Sequence, residues 1–209
     1  SGFIYVNLDG TSPPLVDQLE GLSKIINHYH MDEMTEQYAE ESIWDCNWKS
    51  LTENFMEGYH LSTVHRDTLH GITPTRLSKH FPPGQDYFGF YSVFPDNLPQ
   101  RGKYHADLTS EERTRSVMFA VPPLHVAGVA GHKMSYLYLR PETVNTVRVK
   151  RGIALLDSEI SDSDLKNVVD LFERTMEEDS AQLSRVSRGL KSQFLDTAPL
   201  GAVNYEGNV

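Results

Sequence analysis

Residues 161–189, SDSDLKNVVDLFERTMEEDSAQLSRVSRG, decide the fold class. Ser161 with Asp164 three positions on approximates a helix capping box, with Asp where Glu is usual. Gly189 is a natural stop. Leu165, Val168, Val169, Phe172, Met176, Leu183, Val186 and Leu190 recur at helical spacing and form one apolar stripe. The spacing predicts one long helix near the C-terminus. Before it, Asp86 to Phe94, Ser116 to Val121, His132 to Leu139 and Thr146 to Leu156 read as strands, the last two as a hairpin around Arg140-Pro141-Glu142-Thr143. Strands followed by a long helix argue for an α+β fold, a curved antiparallel sheet with helices packed on it.

The remaining segments are read by the same signals. Residues 2–8 have the pattern of a strand that ends at Asp9-Gly10. Leu15 to about Tyr29 has helical spacing, and residues 34–45 hold one or two strands. Asn47 to His60 is expected to be helical, with Trp48, Leu51, Phe55 and Tyr59 on one face. Residues 66–85 and 95–113 read as loops, the second with a short helix near Ser110 to Arg113.

The chain has 209 residues, enough for one domain with a substantial core. Its net charge of −10 disfavours a nucleic-acid surface, which needs clustered Lys and Arg. No apolar run reaches the roughly 18 residues that a membrane span requires. No basic segment followed by an apolar one marks a signal peptide. Cys46 is alone, so it makes no internal disulfide and supplies no Cys-rich metal site. A cytoplasmic protein is the expectation.

The chemistry concentrates in Asn47-Trp48-Lys49-Ser50-Leu51-Thr52-Glu53-Asn54-Phe55-Met56-Glu57-Gly58-Tyr59-His60-Leu61-Ser62-Thr63-Val64-His65. On a helix Glu53, Glu57 and His60 share one stripe opposite the aromatic face. His65 would then point about 140° away from His60, so both can meet one ion only if the helix ends or distorts between them. Two neutral imidazoles suit iron, zinc, copper or nickel. The plainer alternative is two polar loop histidines, and His70 repeats the spacing. Asp179 interrupts the apolar stripe of the long helix, where a carboxylate costs several kcal/mol unless paired or bound to a cation. A buried salt bridge would serve as well as a metal. Glu177 and Glu178 fall off the stripe and read as solvated. Two His and one carboxylate make the facial triad of non-haem Fe(II) oxygenases, though catalytic zinc uses the same set.

The segment from Asn47 through His60 to His65 resembles the iron motif of Rieske ring-hydroxylating oxygenase α subunits. Gly2 to Leu8 resembles the strand after the Rieske domain in that family. Glu178-Asp179 with Arg188-Gly189-Leu190 resembles its third-ligand helix. The resemblance implies a helix-grip, Bet v 1-like catalytic domain over residues 1–209, with mononuclear Fe(II) on His60, His65 and Asp179. Glu57 would be the acid that bridges to the Rieske centre of a neighbouring subunit. It would serve electron delivery rather than iron holding, and stay exposed where that neighbour is missing. Asn54 would lie near the iron. The [2Fe–2S] Rieske cluster needs two Cys and two His, so one cysteine puts it in an upstream domain, outside this chain. The expected partners are O₂, a small substrate, that Rieske domain, and a reductase or ferredoxin carrying electrons from NAD(P)H, in a homotrimer.

The reaction implied is hydroxylation of a small organic molecule, with an aromatic substrate expected and demethylation of a quaternary ammonium or methylated compound as the alternative. An Arg in the pocket would point to a carboxylate and an aromatic cage to a quaternary amine. Outside this class stand a zinc hydrolase with the same ligands and a non-enzymatic helix-grip carrier. The aromatic run Tyr87, Phe88, Phe90, Tyr91 and Phe94 reads as core or as pocket lining.

Overall fold

The computed structural model describes residues 3–8, 10–156 and 159–195. Two short helices, α1 (Leu15–Gln18) and α2 (Glu20–Ile26), precede the sheet. Then come β1 (Thr35–Trp44), α3 (Trp48–Phe55), β2 (Ser78–His80), β3 (Phe88–Val93), β4 (Arg115–Val121), β5 (His125–Val129), β6 (Lys133–Pro141), β7 (Val147–Leu155) and α4 (Asp162–Gly189). All seven strands join one antiparallel sheet in the order β1-β7-β6-β5-β4-β3-β2. The α+β expectation of a sheet followed by one long helix is met.

The sheet is covered on both faces. On one, Ala120, Val126, Leu137, Leu139 and Val149 pack with Leu51, Phe55, Phe172, Met176 and Leu183 of α3 and α4. On the other, Val117, Phe119, Ala127, Val129 and Tyr136 pack with Leu22, Ile26 and Tyr29 of the N-terminal segment. This explains why β5 escapes a period-2 reading. All five of its residues are buried, His125 included, so no solvent-facing polar residues alternate with the apolar ones. β2 is too short, at three residues, to show a period.

The long helix begins where its cap predicts. The Asp164 N–H donates to Ser161 Oγ at 3.2 Å, and Ser161 Oγ donates to the Asp164 carboxylate at 2.7 Å. Its 28 residues span about 42 Å at 1.5 Å per residue. The last part of its stripe departs from expectation: Val186 and Leu190 are exposed, and Ser187 is buried in their place. The residues past α3 also depart. The helix stops at Phe55 instead of reaching His60, so Glu53 stays exposed while Glu57 turns inward, and Tyr59 is half-exposed. The strand expected from residue 2 does not form over residues 3–8, and Gly2 lies outside the described residues. Ile4, Val6 and Leu8 face solvent. Phe3 and Tyr5 settle on His125, Tyr5 through a 2.7 Å bond from its hydroxyl to Nδ1, with no partner strand among the described residues.

One ion pair fixes α4 to the sheet. Arg151 of β7 donates to Glu173 of α4 through Nε at 2.9 Å and Nη2 at 2.6 Å, and to Ser42 Oγ of β1 at 2.8 Å. Removing one partner of such a pair strands the other charge. Glu173→Ala should therefore destabilise the fold by roughly 3 kcal/mol, the low end for a buried pair, because 23% of the Glu173 side chain is exposed. Chemical denaturation of the two proteins checks this; a loss under about 1 kcal/mol would make the pair a surface contact.

Candidate metal centre

Three elements meet at one end of the cavity between α4 and the sheet: the turn after α3, the segment that follows it, and the middle of α4. The turn is built by Glu57. Its Oε2 accepts the N–H of Tyr59 at 2.6 Å and of His60 at 3.2 Å. In a continuing helix those N–H groups would bond the carbonyls of Phe55 and Met56. The carboxylate thus replaces the next helical turn and swings His60 inward. Gly58 is required there, since a Cβ would come within 2.5 Å of the Ser78 Cβ. Beyond it the backbone coils in tight turns, with the His60 carbonyl accepting from Thr63 and Val64 and the His65 carbonyl from Thr68, Leu69 and His70. The helix break that two converging imidazoles demanded is therefore present, and it precedes His60.

His60, His65 and Asp179 converge, all buried, with one ligand atom from each lying within 4.8 Å of the others. His65 Nε2 lies 3.1 Å and His60 Nε2 3.7 Å from Asp179 Oδ1. Each imidazole is held from behind by a second acid. The His60 Nδ1 bonds Glu57 Oε1. The His65 Nδ1 bonds Glu178 Oε2 at 2.8 Å, and the same oxygen accepts from Thr68 Oγ1 at 2.6 Å. With Nδ1 turned to a carboxylate on both rings, both Nε2 atoms are turned toward Asp179, where they would be free to ligate a metal. Asn54 Nδ2 donates to Asp179 Oδ1 at 3.0 Å. Burial pulls the His65 pKa down, but the bonds and charges of Asp179 and Glu178 outweigh it and the net shift is upward. A protonated His65 would compensate the two acids here; a divalent cation does so with both rings neutral. The donor set therefore fits a transition metal.

Two expectations need correcting. Glu178 is not a solvated residue but the acid that orients His65. It lies one residue before Asp179, so helical spacing alone put it off the apolar stripe. Glu57 is not left exposed; it is 4% accessible, and both its oxygens point into its own chain. Asn54, expected near the iron, touches the third ligand. His70 is exposed and bonded to Ser62 Oγ at 2.9 Å, outside the cluster. A second grouping, His30, Glu33 and His105, is more open. Its rings stack at 3.6 Å, and His30 Nε2 is already bonded to Asp107 at 2.7 Å.

The centre opens into a cavity of about 180 Å³. Phe55, Phe90, Phe94, Tyr104 and Phe172 supply aromatic walls. The aromatic run 87–94 thus divides: Phe90 and Phe94 line the cavity, Phe88 packs toward α4, and Tyr87 and Tyr91 pack on the opposite face. Sequence reading missed Arg101 and Lys133 as lining residues, because neither belongs to a motif.

Comparisons with known proteins agree with this geometry. The chain is 22% identical over 201 residues to the carnitine monooxygenase oxygenase subunit of Acinetobacter baumannii, covering 92% of this chain and 52% of that protein. It therefore spans about half the length of the curated relatives it matches. A crystal structure of a quaternary ammonium Rieske monooxygenase superposes with a TM-score of 0.72 at 20% identity, over 90% of this chain and 49% of the other. A naphthalene 1,2-dioxygenase variant bound to phenanthrene gives 0.62 at 16% identity, over 88% and 50%. These likenesses establish the shared helix-grip fold. The family model for the catalytic domain of ring hydroxylating alpha subunits matches residues 31–207, nearly the whole of the chain, and the chain belongs to that family.

Proposed function

We propose that this chain is the substrate-oxidising domain of a Rieske-type oxygenase, with mononuclear Fe(II) held by His60, His65 and Asp179. The observation that carries the reading is the convergence of two imidazoles and one buried carboxylate at the end of an aromatic-lined cavity. Fe(II) bound by such a facial set keeps open positions for dioxygen chemistry. The protein's own groups do the rest. Glu57 and Glu178 lock the two rings in the ligating tautomer, Asn54 orients Asp179, and the apolar walls exclude water. A zinc hydrolase would need a free general base at the ligands. The nearest acids, Glu57 and Glu178, are already spent on imidazole N–H groups. A carrier would have no use for the convergence.

Electrons would come from NAD(P)H through a reductase or ferredoxin and a [2Fe–2S] Rieske cluster. A single cysteine cannot ligate that cluster, so it would belong to another domain, which we place on a neighbouring subunit of a trimer. Inter-subunit electron transfer is described for the quaternary ammonium Rieske monooxygenase that this fold resembles. We assign Glu57 to that electron route through its bond to the His60 ring, not as a surface contact, since it is buried in its own chain. For the substrate, aromatic walls suit a flat ring or an alkylated ammonium equally, by stacking or cation–π contact. The carnitine and quaternary ammonium monooxygenases among its relatives favour oxidation of an ammonium compound over the expected ring hydroxylation.

Two outcomes follow from this site. In anaerobic titration the chain should bind one Fe(II), and Asp179→Ala should weaken binding at least ~100-fold, more than loss of an outer-shell partner costs. Glu57→Gln should weaken it roughly tenfold. Three donors (the N–H groups of Tyr59 and His60, and the His60 ring) meet Glu57, and an amide offers one acceptor oxygen and one donor nitrogen. This revises the expectation that Glu57 serves electron delivery alone; unchanged iron affinity in Glu57→Gln would restore it. Second, NAD(P)H and a reductase should give this chain no steady turnover of any substrate, since it cannot build the relay cluster. Sustained product formation in that mixture would contradict the electron route.

A further inference from the structure

The cavity has a second chemical end. Its sheet wall is laid out by register: Ser92 of β3 stands opposite Ser116 of β4. One residue beyond the Val117–Val129 pair come Ser116 and Ala130, and the Ala130 N–H bonds the Lys133 carbonyl at 2.8 Å. Ser92, Ser116 and Lys133 therefore share one rung of the wall, on strands about 4.8 Å apart. All three line the cavity. The loop before β4 is pinned to the same hairpin, with Tyr104 stacked on His132 at 5.8 Å and packed against Gly131. That loop carries Arg101, which also lines the cavity.

Among the described residues neither cation has an acidic partner within 4 Å or a side-chain hydrogen bond; Arg101 is exposed to solvent, so the unmet demand falls on the partly buried Lys133. The acids that line the cavity, Glu57 and Asp179, are committed at the metal end. Burial and the nearby Arg101 charge push the Lys133 ammonium down to about 8. The buried Nδ1 of His132, the residue before Lys133, also lacks a partner. A cavity that is aromatic along its walls, with a partly buried and unpaired Lys133 at one end, is short of an anion that the described residues do not supply. We propose that the substrate carries a carboxylate, held by Lys133 and Arg101 while the rest of the molecule extends along the aromatic walls toward His60, His65 and Asp179. This rests on the cavity being the oxygenase active site. It narrows the substrate to an organic acid or a zwitterion: an ammonium compound would enter only with a carboxylate of its own, because Lys133 and Arg101 repel a bare cation.

The test is calorimetric binding to the Fe(II)-loaded chain at constant ionic strength. The probes are γ-butyrobetaine against its methyl ester, benzoate against benzamide, and acetate, with sulfate as a competing anion. At least one carboxylate should bind roughly tenfold or more tighter than its uncharged-end counterpart. Lys133→Met should erase that preference and Arg101→Met reduce it. If Lys133→Met fails to fold, judged by far-UV circular dichroism, Lys133→Gln and Arg101→Met carry the comparison. No carboxylate preference, no binding by any of these acids, a preference that survives Lys133 substitution, or equal displacement by sulfate would each overturn the assignment. Iron content is measured on the same samples. Normal iron without carboxylate preference removes the carboxylate subsite alone, whereas carboxylate preference without iron removes the metal reading alone.

Discussion

A single carboxylate sits where the fold can least tolerate one uncompensated. Asp179 is 2% exposed, in the face of α4 that also buries Met176 and Leu183. An isolated charge there would undo much of a domain's net stability. Its compensation is drawn from sequence-distant parts: Asn54 at the end of α3, and His60 and His65 from the turns beyond it. α4 must therefore dock in one register on the sheet, and α3 must end where it does. The Arg151–Glu173 clamp and the apolar packing of Phe172 and Leu183 hold that register. The site and the core are thus two consequences of one helix placement.

The same logic extends outward by one layer. Each imidazole is fixed by a second acid, Glu57 or Glu178, and the latter by Thr68. Such a chain of bonds settles which nitrogen is free before any metal arrives, which lowers the cost of ordering the site on binding. The sheet contributes the opposite wall, where the small side chains of Ser92, Ser116 and Ser135 stand among Phe90 and Met118. No helix in the described residues is long and apolar enough to cross a membrane.

What the sequence disclosed and what it hid have physical reasons. α4 was legible because cap and stop agree and the stripe holds from Leu165 to Leu183, over most of its 28 residues. Asp179 was legible as an anomaly in that stripe. The turn at Glu57 was not, because periodicity cannot foresee a side chain that captures backbone N–H groups and ends a helix early. Glu178 was misjudged because a residue off the apolar face can still reach a partner from another segment. β5 lacked alternation because both its faces are buried. Lys133 and Arg101 are brought to the cavity only by strand register and loop packing, long-range facts that no local pattern carries.

The most direct measurement is an anomalous difference map at the iron absorption edge, from crystals of this chain grown or soaked with Fe(II) under anaerobic conditions. The account predicts one strong peak enclosed by His60, His65 and Asp179, with Asn54, Glu57 and Glu178 keeping their present partners. A peak at His30, Glu33 and His105 instead, or none beside His60 while iron is bound in solution, would contradict it.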